Sequence, residues 1–217
     1  MVEHVFRRAE QAQTIDRVVV ATDDTRIADA VDSFGGTAVM TAATHETGTD
    51  RLAEVASNID CAIVVNIQGD EPLIDADAVD AAVTLLKHRQ DAGISTLRRR
   101  IDDLADLHNP AVVKIIIDRH GNAIYFSRAP IPFVRSGQPR PVDWRHLGLY
   151  AYRRDVLLKL ASLPPTPLER AEGLEQLRAL ENGFRIVTAE TTADSIGVDT
   201  PEDLERVRKL LEANAYT

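Results

Sequence analysis

The chain has 217 residues, enough for one well-packed core and too few for two full domains. Its 44% hydrophobic and 27% charged residues are ordinary for a soluble globular protein, and a net charge of −9 argues against nucleic acid as a partner while leaving room for a small anion held by metal or local arginines. Cys61 is the single cysteine, no apolar run nears the length of a membrane span and no segment reads as a signal peptide, so the expectation is a cytoplasmic protein with no disulfide and no membrane partner.

Val2, Val5, Phe6, Ala9 and Ala12 recur at helical spacing, so the chain opens in an amphipathic helix. Arg17–Ala21 (RVVVA) reads as a buried strand, and Thr22-Asp23-Asp24 supplies an N-cap for a helix carrying Ile27, Val31 and Phe34, stopped by Gly35-Gly36. Thr37–Met40 is a short strand, His45–Thr49 a polar loop, and Leu52, Val55 and Ala56 mark a helix. Cys61–Ile74 (CAIVVNIQGDEPLI) then organises the chain: a β-branched run that reads as a strand buried on both faces, closed by Gln68-Gly69-Asp70. A carboxylate beyond the carboxyl end of such a strand suits a hard cation with substrate phosphates, although a polar turn leaving a strand fits the same residues. A helix on Val79, Ala82, Val83 and Leu86 follows, and the βαβα rhythm predicts a mostly parallel sheet covered by helices.

After the Ile94–Leu97 strand, Val112–Ile117 and Ala123–Phe126 flank Asp118-Arg119-His120-Gly121-Asn122, a hairpin signal. Five Pro and Gly residues between Pro130 and Pro141 predict an irregular loop. Leu147–Tyr152 reads as a strand, Arg153–Ala161 as a helix, and Leu168–Asn182 as one long helix ended by Gly183. Arg185–Ala189 is the last strand, and Thr200-Pro201-Glu202-Asp203 opens the last helix.

Eight segments in this order resemble the 3-deoxy-manno-octulosonate (Kdo) cytidylyltransferases. They are VVVATDD (18–24), HETGTDRLAEV (45–55), VVNIQGDEPLI (64–74), NPAVVKIIID (109–118), YFSRAPIP (125–132), RHLGLYAY (145–152), PLERAEGLEQLR (167–178) and GVDTPEDLERVR (197–208). The resemblance spans the chain and implies a Rossmann-like nucleotidyltransferase of class α/β, with a mixed, mostly parallel sheet in three α/β/α layers. It implies one domain over residues 1–217, with a sugar-binding and dimerisation subregion over about 109–182. The implied enzyme is homodimeric and Mg²⁺-dependent. It joins CMP from CTP to the anomeric hydroxyl of Kdo, releasing pyrophosphate, for lipopolysaccharide assembly. Family members begin with a strand and a loop of the type PARxxSxRLPGKPL, whose Arg and Lys hold the triphosphate. The chain begins at the following helix, so the expectation is an N-terminally incomplete domain, about thirty residues short, and weak in activity by itself. A sister enzyme for 8-amino-Kdo or sialic acid, or an inactive sugar-binding and dimerisation remnant, are the alternatives.

On the resemblance, Asp70 and Asp199 are the catalytic metal ligands. Asp199 reads equally as an N-cap completed by Glu202, but Thr200 with Asp203 makes as good a capping box and would free Asp199 for metal. Arg128, His146, Tyr150, Glu175 and Gln176 match positions lining the sugar-acid pocket, Arg128 suiting a carboxylate by its bidentate fork. From the residues alone, Glu175 and Gln176 read as a solvated helix face and His146 as a satisfied buried histidine. Gln68 and Arg51 are candidates for sugar and nucleotide contact. Thr22, Asp23 and Thr49 are candidates for the nucleotide, Thr49 within a loop that offers backbone donors.

Overall fold

The helix α1 (Val2–Ala9) is followed by β1 (Val20–Thr22), α2 (Thr25–Ser33), β2 (Ala38–Met40), α3 (Gly48–Ser57) and β3 (Ile63–Asn66). Next come α4 (Ala76–His88), β4 (Ile94–Arg100), α5 (Leu104–His108), β5 (Lys114–Ile117), β6 (Ala123–Ser127) and β7 (Trp144–Arg153). The chain ends through α6 (Arg154–Ala161), α7 (Pro167–Glu172), α8 (Gln176–Glu181), β8 (Ile186–Glu190) and α9 (Pro201–Asn214). This computed structural model describes residues 1–45, 47–193, 197–198 and 200–214, with side chains as far as Glu212. The chain packs as two units, one of Met1–Thr44, Ile67–Asp80 and the segment from Ala193, the other of His45–Asn66 and Ala81–Thr192.

In the first unit α1 buries Val5, Phe6 and Ala9, the stripe its spacing predicts. Phe6 meets Phe34 with ring centroids 5.4 Å apart, and the Arg7 guanidinium lies over both rings. β1 and β2 pair in parallel, Val20 opposite Ala38 and Thr22 opposite Met40, joined by α2. The expected strand Arg17–Ala21 is thus shorter and lies later, at Val20–Thr22. The Asp80 carboxylate accepts from the Gln13 amide at 2.9 Å and the Thr14 amide at 2.7 Å, tying the 67–80 segment to the exit of α1.

The second unit is built around β7. One edge of β7 pairs along its length with β4, from Ile94 opposite Tyr152 to Arg100 opposite Trp144. Its other edge is shared by β3 (Asn66 opposite Tyr150) and β5 (Lys114 opposite Arg145). All three pair antiparallel to β7, while β8 runs parallel to β4. Hence β3, β4, β5 and β8 share one direction, and only β7 and β6 oppose them. The sheet is mixed, as the resemblance implies, but its pairing is not mostly parallel: among the described residues β4–β8 is its one parallel ladder, because β7 is inserted between aligned strands and β6 returns beside β5 as a hairpin. Phe126, Tyr150, Tyr152, Leu157, Leu177 and Ile186 are among the residues of its core.

Two further expectations need correction. All four residues of β3 are half-buried rather than buried on both faces, and among the described residues β3 pairs only with β7. A β-branched run has the same composition at an edge as in a sheet's centre, because what it reports is packing on a pleated surface. The helix expected over Leu168–Asn182 is two short helices, α7 and α8. Gly173 closes α7 in the left-handed conformation (φ 62°), where a residue with a Cβ is strained, and the Leu174 amide returns to the Glu169 carbonyl. The hairpin signal holds: Asp118 accepts from the amides of His120 and Asn122, and Gly121 takes φ +77°.

Candidate active site

In the first unit, β1 ends on Thr22, which is 5% exposed and whose hydroxyl accepts from the Asp24 amide at 3.1 Å. Asp24 is the cap of α2, accepting from the Arg26 amide, and the Arg26 hydrogen bonds hold its carboxyl down at about 2. Asp23, exposed at the strand end, is the acid of this trio that is not the cap. Beyond β3, Gln68 is exposed and its carbonyl accepts from the Glu71 amide, turning the chain at Gln68-Gly69-Asp70. Asp70 is half-buried, and among the described residues no donor is bonded to its carboxylate.

The carbonyl of Asp70 accepts from the Val198 amide at 2.9 Å. Asp199 itself lies outside the described residues. The residues that follow it supply a cap for α9. Thr200 and Asp203 form the reciprocal box, with the Thr200 amide to Asp203 Oδ2 at 3.0 Å and the Asp203 amide to Thr200 Oγ1 at 3.2 Å. The start of α9 therefore draws its cap from Thr200. Among the described residues no group of three His, Cys, Asp or Glu could hold a metal. A Mg²⁺ site of one or two carboxylates, completed by substrate phosphates and water, needs no such group.

In the second unit, β6 and β7 present a row of rings. Phe126 and His146 meet edge to face at 5.0 Å, His146 and Tyr150 at 5.1 Å, Tyr150 and Tyr152 at 5.7 Å. His146 as a residue is half-buried, yet its ring lies between Phe126 and Tyr150, and that loss of water pushes its pKa down to about 3. Its Nε2 meets Thr96 Oγ1 at 2.9 Å. Tyr150 is 8% exposed, and its hydroxyl is buried with no hydrogen-bond partner among the described residues. Burial, then the charges of Tyr152 and Glu175, push the Tyr150 phenol well up, so it is a neutral donor. An orphaned buried hydroxyl is costly and marks a place where a ligand's polar atom would be gained.

Glu175 sits at the break between α7 and α8, a position a continuous helix would not give it. Its carboxylate accepts from Thr49 twice, from the amide at 3.2 Å and from the hydroxyl at 2.5 Å. Thr49 was expected to contact nucleotide. It is 4% exposed and both its donors are taken by Glu175, so what it does here is orient that carboxylate. Gln176, half-buried, opens α8, and Arg51 is half-buried on α3.

Arg128 is expected to grip a carboxylate, and much of its guanidinium is engaged. Nε donates to the Glu172 carbonyl at 2.8 Å, Nη1 to the Pro110 carbonyl at 3.0 Å and Nη2 to the Gly173 carbonyl at 3.4 Å. Two of its five donors remain for another partner. The sequence reading missed the groups that hold it there. The Glu172 carboxylate accepts from Ser127 Oγ at 2.6 Å and from the Arg128 amide at 2.9 Å. Lys114, 0% exposed, donates to the carbonyls of Asn109 at 2.9 Å and Val112 at 2.5 Å, and burial pushes its pKa down. A lysine inside the apolar run VVKIII was the available signal for it.

Comparison with known proteins shows what the chain as a whole is similar to. A family model described as cytidylyltransferase matches residues 1–191. A 3-deoxy-manno-octulosonate cytidylyltransferase of Solibacter usitatus is 53% identical over 214 residues, covering 99% of this chain and 85% of that protein. One of Geobacter metallireducens is 52% identical, covering 95% and 85%. The solved structure of a CMP:2-keto-3-deoxy-manno-octonic acid synthetase complexed with CTP superposes with a TM-score of 0.93 at 42% identity, over 98% of this chain and 88% of that one. A 4-diphosphocytidyl-2C-methyl-D-erythritol synthase from Anaerococcus prevotii, 12% identical with a TM-score of 0.60 over 97% and 85%, shares the fold alone.

Proposed function

This chain belongs to the cytidylyltransferase family, and we infer from that premise that it is a CMP-Kdo synthetase: it transfers CMP from CTP to the anomeric hydroxyl of Kdo, as lipopolysaccharide assembly requires. The observation that carries the reading is the agreement of Kdo-specific relatives at about half identity with a CTP-bound structure matching nearly the whole chain. In the reaction the anomeric hydroxyl oxygen attacks the α-phosphorus and gives up its proton to solvent, the bond from that phosphorus to the bridging oxygen breaks, and pyrophosphate leaves with the electron pair. Such a displacement needs the hydroxyl held in line and the phosphate charge balanced.

The chain's residues divide this work. Asp70, a half-buried carboxylate with no described partner, fits a cation, and Asp199 is its proposed companion. Mg²⁺ bound there would neutralise charge developing on the phosphates. Within the first unit, Thr22 and Asp23 are proposed nucleotide contacts and Gln68 a proposed substrate contact. In the second, Tyr150 donates to a sugar oxygen, Glu175 accepts from a sugar hydroxyl, His146 and Gln176 hold others, and the spare donors of Arg128 take the acid group. Arg51 is the proposed nucleotide contact of α3, and Thr49 acts through Glu175. A homodimer formed through about 109–182 and a cytoplasmic location complete the proposal. No described helix is long and apolar enough to cross a membrane.

Pyrophosphate release by the full-length protein with CTP, Kdo and Mg²⁺ tests the reading. Turnover within the ordinary enzyme range of roughly 1–10³ s⁻¹ is expected. Release driven by sialic acid and not by Kdo would overturn it.

A further inference from the structure

The ladder between β4 and β7 breaks register between Thr96 and Leu97: Thr96 stands opposite Tyr150, while Leu97 stands opposite Leu147. Gly148 and Leu149 therefore have no ladder residue facing them on β4, a bulge of the kind that re-aims side chains beside sites. Thr96, 0% exposed, fills this irregularity with its hydroxyl. Oγ1 lies 2.7 Å from the Leu149 carbonyl, 3.2 Å from the Leu147 carbonyl and 2.9 Å from His146 Nε2.

One hydroxyl proton must serve all three contacts. If it pointed to Nε2, two carbonyl oxygens would face the hydroxyl oxygen with no proton between them, the nearer at 2.7 Å. That arrangement is repulsive and leaves buried acceptors unmade. If the proton goes to Leu149, the shorter conflict is removed and only the longer Leu147 contact at 3.2 Å lacks a proton, and Nε2 must then be the donor. Among the described residues Nδ1 has no hydrogen-bond partner.

We propose that Thr96 is a positioning residue for the sugar site: its hydroxyl, committed to the bulge carbonyl, holds His146 as the neutral Nε2–H tautomer and so presents Nδ1 as a hydrogen-bond acceptor for a sugar hydroxyl. His146 thus reads a donor on the substrate, while the acid group is left to the arginine. The neighbouring Tyr150 hydroxyl, buried and unpartnered, supplies the complementary donor. The assignment of Nδ1 to a sugar hydroxyl rests on the function proposed above; the tautomer does not.

The test therefore has two arms. In protein labelled with ¹⁵N-histidine, long-range ¹H–¹⁵N correlation at neutral pH, assigned by the signal lost in His146→Gln, reports the tautomer without any substrate. A protonated Nε2 and a bare Nδ1 are expected in the parent and in Thr96→Ser, with the single-tautomer pattern lost in Thr96→Val. A parent ring that is Nδ1–H, cationic or a mixture overturns the proposal whether or not the variants fold. In the kinetic arm, Thr96→Val raises KM for Kdo about tenfold, the worth of one hydrogen bond. Its KM for CTP stays within about twofold of the parent, as a site confined to the sugar requires, and Thr96→Ser restores the parent value. Equal losses for both substrates, or none, overturn the positioning role. A parent without turnover on Kdo defeats the proposed function, and the tautomer result still decides the assignment of His146.

Discussion

The Val198 amide donates to the Asp70 carbonyl at 2.9 Å, and two residues beyond Val198 the helix α9 is capped by Thr200 with Asp203. Val198 is thus docked on the turn carrying Asp70 through a backbone hydrogen bond, and the described cap of α9 is supplied by Thr200 and Asp203. Asp70→Asn and Asp199→Asn should each abolish detectable pyrophosphate release while leaving Tm within a degree or two, since size is kept and no cap is lost. Thr200→Ala should do the reverse, costing about 1 kcal/mol of stability with turnover largely kept. Thermal melts read beside turnover check both; a large fall in Tm for Asp199→Asn would return that residue to structure.

Thr49 and Glu175 make a second testable pair. Thr49→Val removes the hydroxyl donor and keeps the shape, so the Glu175 carboxylate loses one of its two anchors. KM for Kdo should rise several-fold with KM for CTP little changed, because the residue acts through a sugar-site carboxylate. If KM for CTP rises instead, Thr49 touches nucleotide directly.

The pH dependence of stability should carry the signature of His146. Its folded pKa lies at about 3 against an unfolded 6.5, so between those values the unfolded chain binds a proton that the folded one refuses. The stability owed to the neutral ring is complete above about 6.5 and is lost as pH falls toward 3. This one group steepens the fall by up to about 1.4 kcal/mol per pH unit. Urea unfolding of the parent and His146→Phe across that window should give a shallower slope for the variant; equal slopes would show that the ring titrates normally.

Arg178 and Glu169 form a buried ion pair, the two side chains 3% and 8% exposed, with Nη2 to Oε1 at 2.5 Å. Glu169→Leu leaves the guanidinium uncompensated apart from Asp50 at 3.7 Å, and should cost roughly 3–5 kcal/mol. Adding Arg178→Met should recover most of that loss, because the desolvated charge is then gone. Denaturant midpoints of the single and double variants check this. A double variant no more stable than the single would mean that the pair holds α7 and α8 together by more than charge balance.

Much of this protein is legible in one dimension. The caps at Asp24 and Thr200, the Asp118–Asn122 turn and the stripe on α1 are local matters, decided by hydrogen bonds and burial within a few residues. The ordered motifs sufficed to name the family and to point at Asp70, His146, Tyr150 and Glu175. Tertiary structure decided the rest. Only folding showed that Gly173 splits the expected long helix and sets Glu175 at the break, or that β3 stands half-buried and, among the described residues, pairs with β7 alone. Only folding set Thr49 against Glu175, Glu172 against Arg128, and Thr96 against His146. Each of those pairs joins residues far apart in the chain, and the last depends on a register shift in the ladder between β4 and β7. Local spacing encodes which face a side chain takes along its own strand or helix; it does not encode which distant donor or carbonyl that face will meet.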